Sequence, residues 1–153
     1  YDTKKGESLP AHIGPMELLS EAELNNFPEV STEEFMNNFF VSASDLFQHS
    51  NDSPVKVIGS KGLLKDKPGF EVDYVSNDTF IKEMHTTSQY EVNMIMKGEW
   101  NLEWKDDSIN ISAGDTCLIR PNLSYRIVPV GSGQASLFKV TKTNDRPGST
   151  WRE

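Results

Sequence analysis

Residues 79–98, TFIKEMHTTSQYEVNMIMKG, contain the pattern on which the predicted fold depends. Residues 91–96 are typical of a β-strand, and successive side chains of a strand point to opposite faces of its sheet. If Glu91 points inward, Asn93 and Ile95 do so too, while the side chains between them face the other side. Glu91 and Asn93 are therefore expected to line the interior of the domain.

Short segments of the same kind recur on both sides of this stretch at roughly ten-residue spacing. The breaks between them carry turn residues, and the charged residues 105–107 and the Gly-Ser-Gly at 131–133 are typical of hairpin tips. The pattern predicts a mainly β domain, a single antiparallel sandwich or barrel over residues 55–143. Its further strands are expected at 70–75, 79–84, 100–104, 108–111, 116–119, 125–130 and 135–141.

The remaining residues are predicted to flank the barrel. We expect 1–54 to form an extended and helical arm that packs on it, with a short helix at 16–24, and 144–153 to form a C-terminal tail. Ser31 and Glu34 stand at the N-cap and N3 positions of a capping box, which predicts the start of a second helix. That helix carries an apolar stripe that is expected to pack on the domain, formed by Phe35, Phe39 and Phe40.

Composition excludes several classes of partner. With 15 Lys and Arg against 23 Asp and Glu, the net charge is -8, which argues against nucleic acid and anionic membrane surfaces. No apolar run approaches the roughly 20 residues that cross a bilayer, and the one cysteine, Cys117, excludes an internal disulfide and a cysteine-based zinc site. We expect a cytoplasmic protein. Secretion stays open because four Asn-x-Ser/Thr triplets occur, at Asn51, Asn77, Asn110 and Asn122.

The spacing of residues 79–98 resembles the first motif of the cupin superfamily, the small jelly-roll barrels, which runs Gly-x5-His-x-His-x3-4-Glu-x6-Gly. His85, Glu91 and Gly98 keep this frame. The sequence departs from it at Thr79, which stands where the first Gly belongs, and at Thr87, which stands where the second His belongs.

The second cupin motif, Gly-x5-Pro-x-Gly-x2-His-x3-Asn, is matched more loosely. Gly114 and Pro121 lie near their expected places, Leu123 replaces a Gly, and Arg126 falls where the His belongs. The resemblance implies a cupin-type jelly-roll β-barrel with an N-terminal helical arm. It also implies a homodimer, because cupins commonly pair through strands and exchange arms.

The same resemblance implies a metal site that is incomplete. Cupins bind Fe, Mn, Ni or Zn through three His and one Glu, and His85 and Glu91 are the two ligands that this chain retains. Thr87 is a weak neutral oxygen ligand, and Arg126 is always protonated and cannot ligate a metal. The metal site is therefore either degenerate or absent, or it is completed by a ligand from elsewhere.

Without a metal, the same positions suggest a pocket for an organic anion. Arg126 either pairs with Glu91 or binds a carboxylate or phosphate of the substrate. His85 is either a general base held by Glu91 or Thr87 or a packing residue of the barrel. Four more residues along the barrel wall and mouth are assigned to substrate binding: Thr87, Asn93, Tyr125 and Trp100.

Three functions are consistent with these residues. The first is a small-molecule enzyme with His85 and Glu91 as catalytic residues, acting on an anionic or polar metabolite. It would resemble an isomerase, cyclase or lyase without metal, and an oxygenase with metal. The second is a ligand-binding or sensory domain without turnover. The third is a structural dimerisation module with a vestigial pocket.

Overall fold

The computed structural model describes residues 30–50 and 53–144. The predictions for the arm up to residue 29, for the helix at 16–24 and for the C-terminal tail from residue 145 lie outside these residues. Within them the chain forms two short helices and eight strands: α1 (Thr32–Asn38), α2 (Ala43–His49), β1 (Val55–Ile58), β2 (Phe70–Ser76), β3 (Glu91–Lys97), β4 (Glu99–Trp104), β5 (Asp107–Ser112), β6 (Thr116–Ile119), β7 (Tyr125–Pro129) and β8 (Ser136–Lys142). No helix in the described ranges is long and apolar enough to cross a membrane.

The strands form two antiparallel sheets that pack face to face. The first sheet has the order β1-β2-β8-β3-β6, and the second has the order β5-β4-β7. Side chains from both sheets fill the space between them, including Val75, Ile95 and Leu137 from the first sheet and Trp100 and Ile127 from the second. The predicted mainly β, jelly-roll architecture is confirmed.

A second, smaller core lies on the outer face of the first sheet. Leu46 of α2 packs there against Val55 and Val57 of β1. The helix starts with a capping box in which the Ser42 hydroxyl accepts from the Asp45 amide at 3.1 Å. The sequence did not predict α2, because seven residues give too few turns for a periodic pattern.

The apolar stripe predicted for the first helix does not pack as expected. α1 buries none of its residues, and Phe35 and Phe40 are 49% and 46% exposed. The helix ends at Asn38, and the Phe39 amide still donates to the Phe35 carbonyl oxygen at 2.9 Å, so the two rings lie on one side with centroids 6.3 Å apart. Phe40 lies beyond this turn.

The strand predicted at 79–84 is absent. The Thr79 hydroxyl accepts from the Ser76 amide at 2.9 Å and closes a turn at the end of β2. The chain then continues without ladder pairing as far as His85, which forms an isolated bridge with Tyr125. Because the segment leaves the sheet at this turn, its alternating pattern does not translate into a strand.

Gly98 makes the tight connection between β3 and β4. Its φ is +79°, a value that side chains rarely allow, and a Cβ there would lie 2.7 Å from the carbonyl oxygen of Gln134. This is the glycine that closes the first sequence motif. A glycine is therefore needed at this position, because the φ is positive and because the chain that follows β7 approaches too closely for a side chain.

A series of three Gly→Ala substitutions separates these two effects. Gly98→Ala adds a Cβ at an unfavourable φ and in close contact with other atoms. Gly131→Ala adds one at a φ of +80° with no atom within 4 Å, and Gly133→Ala adds one where neither effect applies. We expect losses in the free energy of unfolding of about 3, about 1 and less than about 0.5 kcal/mol respectively. Chemical denaturation of the three variants measures them, and equal losses would contradict this account of Gly98.

Candidate functional site

Pairing between β3 and β8 places four polar side chains together inside the barrel. Glu91 pairs with Thr141, and Asn93 pairs with Lys139. Because paired residues share a face of the sheet, all four point inward. Glu91, Asn93 and Lys139 are only 3%, 0% and 8% exposed. The barrel therefore has a polar interior at one end.

Tyr125 of β7 brings the opposite sheet into this cluster. Its hydroxyl donates to Glu91 Oε1 at 2.6 Å, and its oxygen accepts from Lys139 Nζ at 2.6 Å and from Asn93 Nδ2 at 3.2 Å. Tyr125 is 1% exposed. Burial is the largest influence on the phenol and raises its pKa well above the usual value, so the group stays protonated.

Three donors surround the carboxylate of Glu91. Besides Tyr125, Thr141 Oγ1 donates to Oε2 at 2.9 Å, and His85 Nε2 lies 3.1 Å from Oε1 and 3.3 Å from Oε2. Burial by itself would raise the pKa of Glu91. The hydrogen bond from Tyr125, the charge of Lys139 and the other donors outweigh it and hold the pKa below its usual value. The carboxyl group is therefore ionised near neutral pH.

Lys139 is the buried cation of the cluster. Burial is the main influence on its amino group and lowers its pKa, while the negative charges of Glu91 and Asp73 partly oppose that shift. Nζ donates to the neutral Tyr125 hydroxyl and lies 4.8 Å from the centre of the same ring. The amino group is thus held by a phenol inside the barrel.

His85 lies at the outer edge of the cluster. Its backbone exchanges two hydrogen bonds with Tyr125, at 2.7 and 2.8 Å, and its ring packs edge-on against the Tyr125 ring with centroids 5.6 Å apart. The His85 side chain is 30% exposed while that of Glu91 is 3% exposed. His85 therefore connects the buried carboxylate to the surface.

A small cavity of about 20 Å³ adjoins these residues, which is enough for about one water molecule. Its lining includes His85, Tyr125 and Lys139 from the polar cluster. The other lining residues are mostly apolar: Val75, Ile81, Ile127 and Leu137, with Glu83 and Arg126. The barrel thus has a small site that borders the polar cluster.

Arg126 does not face Glu91, and that predicted pairing is wrong. Its Nε donates to Glu103 Oε1 at 2.8 Å, and its Nη1 donates to the carbonyl oxygen of Lys82 at 3.1 Å. Along β7 the side chains of Tyr125 and Ile127 point inward, so the residue between them points away from the core. Arg126 nevertheless borders the cavity, at its rim rather than at its polar end.

Two more predicted site residues lie apart from the cluster. The Thr87 hydroxyl accepts from the Gln89 amide at 3.2 Å and closes a local turn. Trp100 is fully buried in the main core, where its Nε1 donates to the Lys97 carbonyl at 3.2 Å. Trp100 therefore presents no surface to a ligand in this conformation.

Sequence reasoning found Glu91, Asn93, Tyr125 and His85, which the structure brings together, and it missed Lys139 and Thr141. A signal for both was present in residues 137–141. Alternation places Lys139 and Thr141 on the same face as Leu137, so an inward lysine could have been read from the strand pattern.

The residues of this cluster do not fit a cupin metal ion. Within the described part of the chain, no group of three His, Cys, Asp or Glu side chains could hold one. Both oxygens of Glu91 already accept hydrogen bonds. The amino group of Lys139 supplies positive charge close to Glu91 and would repel a divalent cation.

A family model described as an AraC-like ligand binding domain matches residues 67–146. This range contains seven of the eight strands and the whole polar cluster. A search of curated proteins found no matching sequence.

Solved structures of low sequence identity share the fold. A cupin-2 domain containing protein from Shewanella frigidimarina is 14% identical with a TM-score of 0.51, over 67% of this chain and 93% of that one. A protein from Neisseria meningitidis is 16% identical with a TM-score of 0.52, over 68% and 99%. The cupin domain of Cnp3 from Schizosaccharomyces pombe is 12% identical with a TM-score of 0.51, over 63% and 66%. These likenesses confirm the cupin fold and carry no information about the ligand.

The lowered pKa of Glu91 predicts an acid-sensitive contribution to stability. Because the pKa in the folded state lies below the ordinary value of 4.5, ionised Glu91 stabilises the folded state above that value. This contribution is lost as the pH falls through the folded-state pKa. We expect Glu91→Gln to lose less stability than the wild type between about pH 6 and about pH 3. Denaturation at several pH values measures this slope.

Glu99→Gln is the matched control, because Glu99 is exposed at the start of β4. It should retain the slope of the wild type. A Glu91→Gln slope equal to that of the wild type would contradict the hydrogen-bonded, ionised state assigned to Glu91.

Proposed function

The chain belongs to the AraC-like ligand-binding domain family, and we propose that its barrel binds a small polar metabolite, with an anionic group at the mouth, without a metal ion. The observation that carries this proposal is the cavity in the barrel, whose lining combines His85, Tyr125 and Lys139 with apolar side chains. Binding pockets combine apolar walls with a few converging polar groups in this way.

The polar groups are suited to hold oxygen atoms of a ligand. Lys139 and His85 both line the cavity, and hydrogen bonds from amino and imidazole groups strengthen where water is excluded. Arg126 borders the same cavity and uses two N–H groups in its contacts with Glu103 and Lys82. A guanidinium has five N–H donors, so Arg126 keeps donors for a carboxylate or phosphate at the rim.

A ligand larger than water needs the cavity to widen, and residues 81 and 83 belong to its lining. The segment 81–84 carries exposed side chains, with Ile81 40% and Met84 45% exposed. It is attached to the barrel through the Arg126 contact to the Lys82 carbonyl and through the His85 bridge to Tyr125. We therefore expect this segment to move outward when a ligand enters.

An enzyme that uses the same pocket is a second candidate function. It is favoured by the contact between His85 Nε2 and Glu91 at 3.1 Å, because an imidazole held by a carboxylate is a common general base. In this case His85 would take a proton from a metabolite held in the cavity, as isomerases, cyclases and lyases require.

The homodimer and the cytoplasmic location stay predictions. Exposed apolar side chains are what a dimer would bury. They occur on and just after the first helix, at Phe35, Met36 and Phe40, and on the outer side of the first sheet, at Met96 and Leu118.

Thermal-shift screening with carboxylates, sugars and sugar phosphates tests the binding proposal. We expect an anionic compound to raise the unfolding temperature and Arg126→Ala to weaken its binding by about ten- to a hundredfold, the effect of one charged hydrogen bond. Arg120→Ala is the matched control, because Arg120 is exposed just after β6. Failure of every compound, or equal effects of the two Arg variants, would contradict the proposal.

The variant His85→Ala distinguishes the two functions once a ligand is known. An enzyme should lose turnover by at least about a hundredfold while its affinity changes by less than about tenfold. A binding domain has no reaction to lose.

A further inference from the structure

We propose that Lys139 is a nucleophile that captures a small aldehyde or α-keto acid in the barrel as an imine. The geometry that points to this is a buried lysine that lines the cavity and whose amino group donates to the Tyr125 hydroxyl at 2.6 Å. The inference rests on the proposed function, because it names the ligand class of the same cavity and the bond that the ligand would form.

The amino group is available because its hydrogen bond goes to a neutral partner. Within residues 30–50 and 53–144, no carboxylate oxygen forms an ion pair with Lys139 Nζ at 4.0 Å or less, whereas Lys56 of β1 pairs with both Glu71 and Asp73. An ammonium bound directly to a carboxylate keeps its proton firmly. An ammonium that donates to a phenol in a buried site loses its proton more easily, in agreement with the lowered pKa of Lys139.

A chain of hydrogen bonds connects the amino group to a base. Lys139 Nζ donates to Tyr125 Oη, and Tyr125 Oη donates to Glu91 Oε1, both at 2.6 Å. A proton leaving Lys139 can therefore reach Glu91 if Tyr125 accepts it and gives up its own proton at the same time. Glu91 in turn contacts His85 at the outer edge of the cluster.

The reaction balances without an oxidant or reductant. The lone pair of the unprotonated amine forms a bond to the carbonyl carbon, the C=O π bond breaks, and a proton passes from nitrogen to oxygen. The resulting hydroxyl group then takes back, through Tyr125, the proton that Glu91 received from the ammonium, and it leaves as water while the C=N bond forms. No further proton has to leave, because the protonated imine carries the charge that the ammonium carried. In sum, an amine and a carbonyl give an imine and water.

The size and lining of the cavity favour the smallest carbonyl compounds. The cavity of about 20 Å³ must widen to admit even a two- or three-carbon compound, which we expect to occur by outward movement of the lining segment at Ile81 and Glu83. An α-keto acid would place its carbonyl carbon near Lys139 and its carboxylate toward Arg126 at the rim. Pyruvate and glyoxylate are therefore suitable probes.

Reductive trapping tests the proposal in the wild-type protein. The protein is incubated with pyruvate and sodium cyanoborohydride, which reduces an imine to a stable secondary amine, and peptide mass spectrometry then locates the adduct. Lys142 is an internal control, because it lies exposed on the same strand, three residues away. We expect Lys139 to be labelled at least about tenfold faster than Lys142. Labelling of Lys139 no faster than that of Lys142 would overturn the proposal.

Two variants and one control distinguish the role of Lys139 as the nucleophile from the role of Tyr125 in the proton relay. Lys139→Met should remove this adduct, while Lys142→Met should leave it unchanged. Tyr125→Phe keeps the amine but removes the proton relay, and should slow the labelling of Lys139 by about a hundredfold. If Lys139→Met does not fold, the wild-type peptide map still decides the question. Unchanged labelling in Tyr125→Phe would overturn the relay assigned to Tyr125.

Lactate distinguishes failure of this inference from failure of the proposed function. It has the carboxylate of pyruvate and a hydroxyl group in place of the carbonyl, so it can bind in the cavity but cannot form an imine. If both compounds raise the unfolding temperature and pyruvate gives no adduct, the cavity binds small acids and the imine proposal is wrong. If a Lys139 adduct forms with pyruvate, both proposals are supported.

Discussion

The carboxylate of Glu91 is buried between the two sheets, and a buried carboxylate stays ionised only with hydrogen bonds and positive charge close to it. The groups that supply them for Glu91 make up the polar interior of this barrel. Donors come from both sheets, Thr141 from the neighbouring strand and Tyr125 from the opposite sheet. Lys139 supplies the charge and donates to the same phenol. Removing the Tyr125 hydroxyl would take a partner from Glu91, Lys139 and Asn93 at once, so this phenol stabilises the arrangement of the two sheets.

This compensation also determines what chemistry the barrel can perform. Where a cupin metal ion would supply positive charge to a retained glutamate, the amino group of Lys139 does so here, and Arg126 points to the rim instead of replacing a ligand. An internal ammonium differs from a metal ion because it can lose a proton and become a nucleophile. The proposed binding of small polar acids and the proposed imine formation both depend on this difference.

The sequence predicted part of the site and missed its cation. Glu91, Asn93, Tyr125 and His85 were found because motif spacing and strand alternation are local properties of the chain. Lys139 was missed, although alternation places it inward, because a lysine within a strand is ordinarily read as a solvent-facing residue. It becomes a site residue only when β8 is placed beside β3, which lies some forty residues earlier along the chain.

Local patterns in the sequence were sufficient to predict the strand-rich fold and the approximate extents of seven of the strands, because side-chain periodicity is encoded over a few neighbouring residues. Which polar groups come into contact depends on how the strands and sheets pack. In the folded chain residues 79–84 form no strand, Arg126 donates to Glu103, and Lys139 donates to Tyr125. These outcomes depend on strand order and on the facing sheet, and sequence spacing alone does not specify either of them.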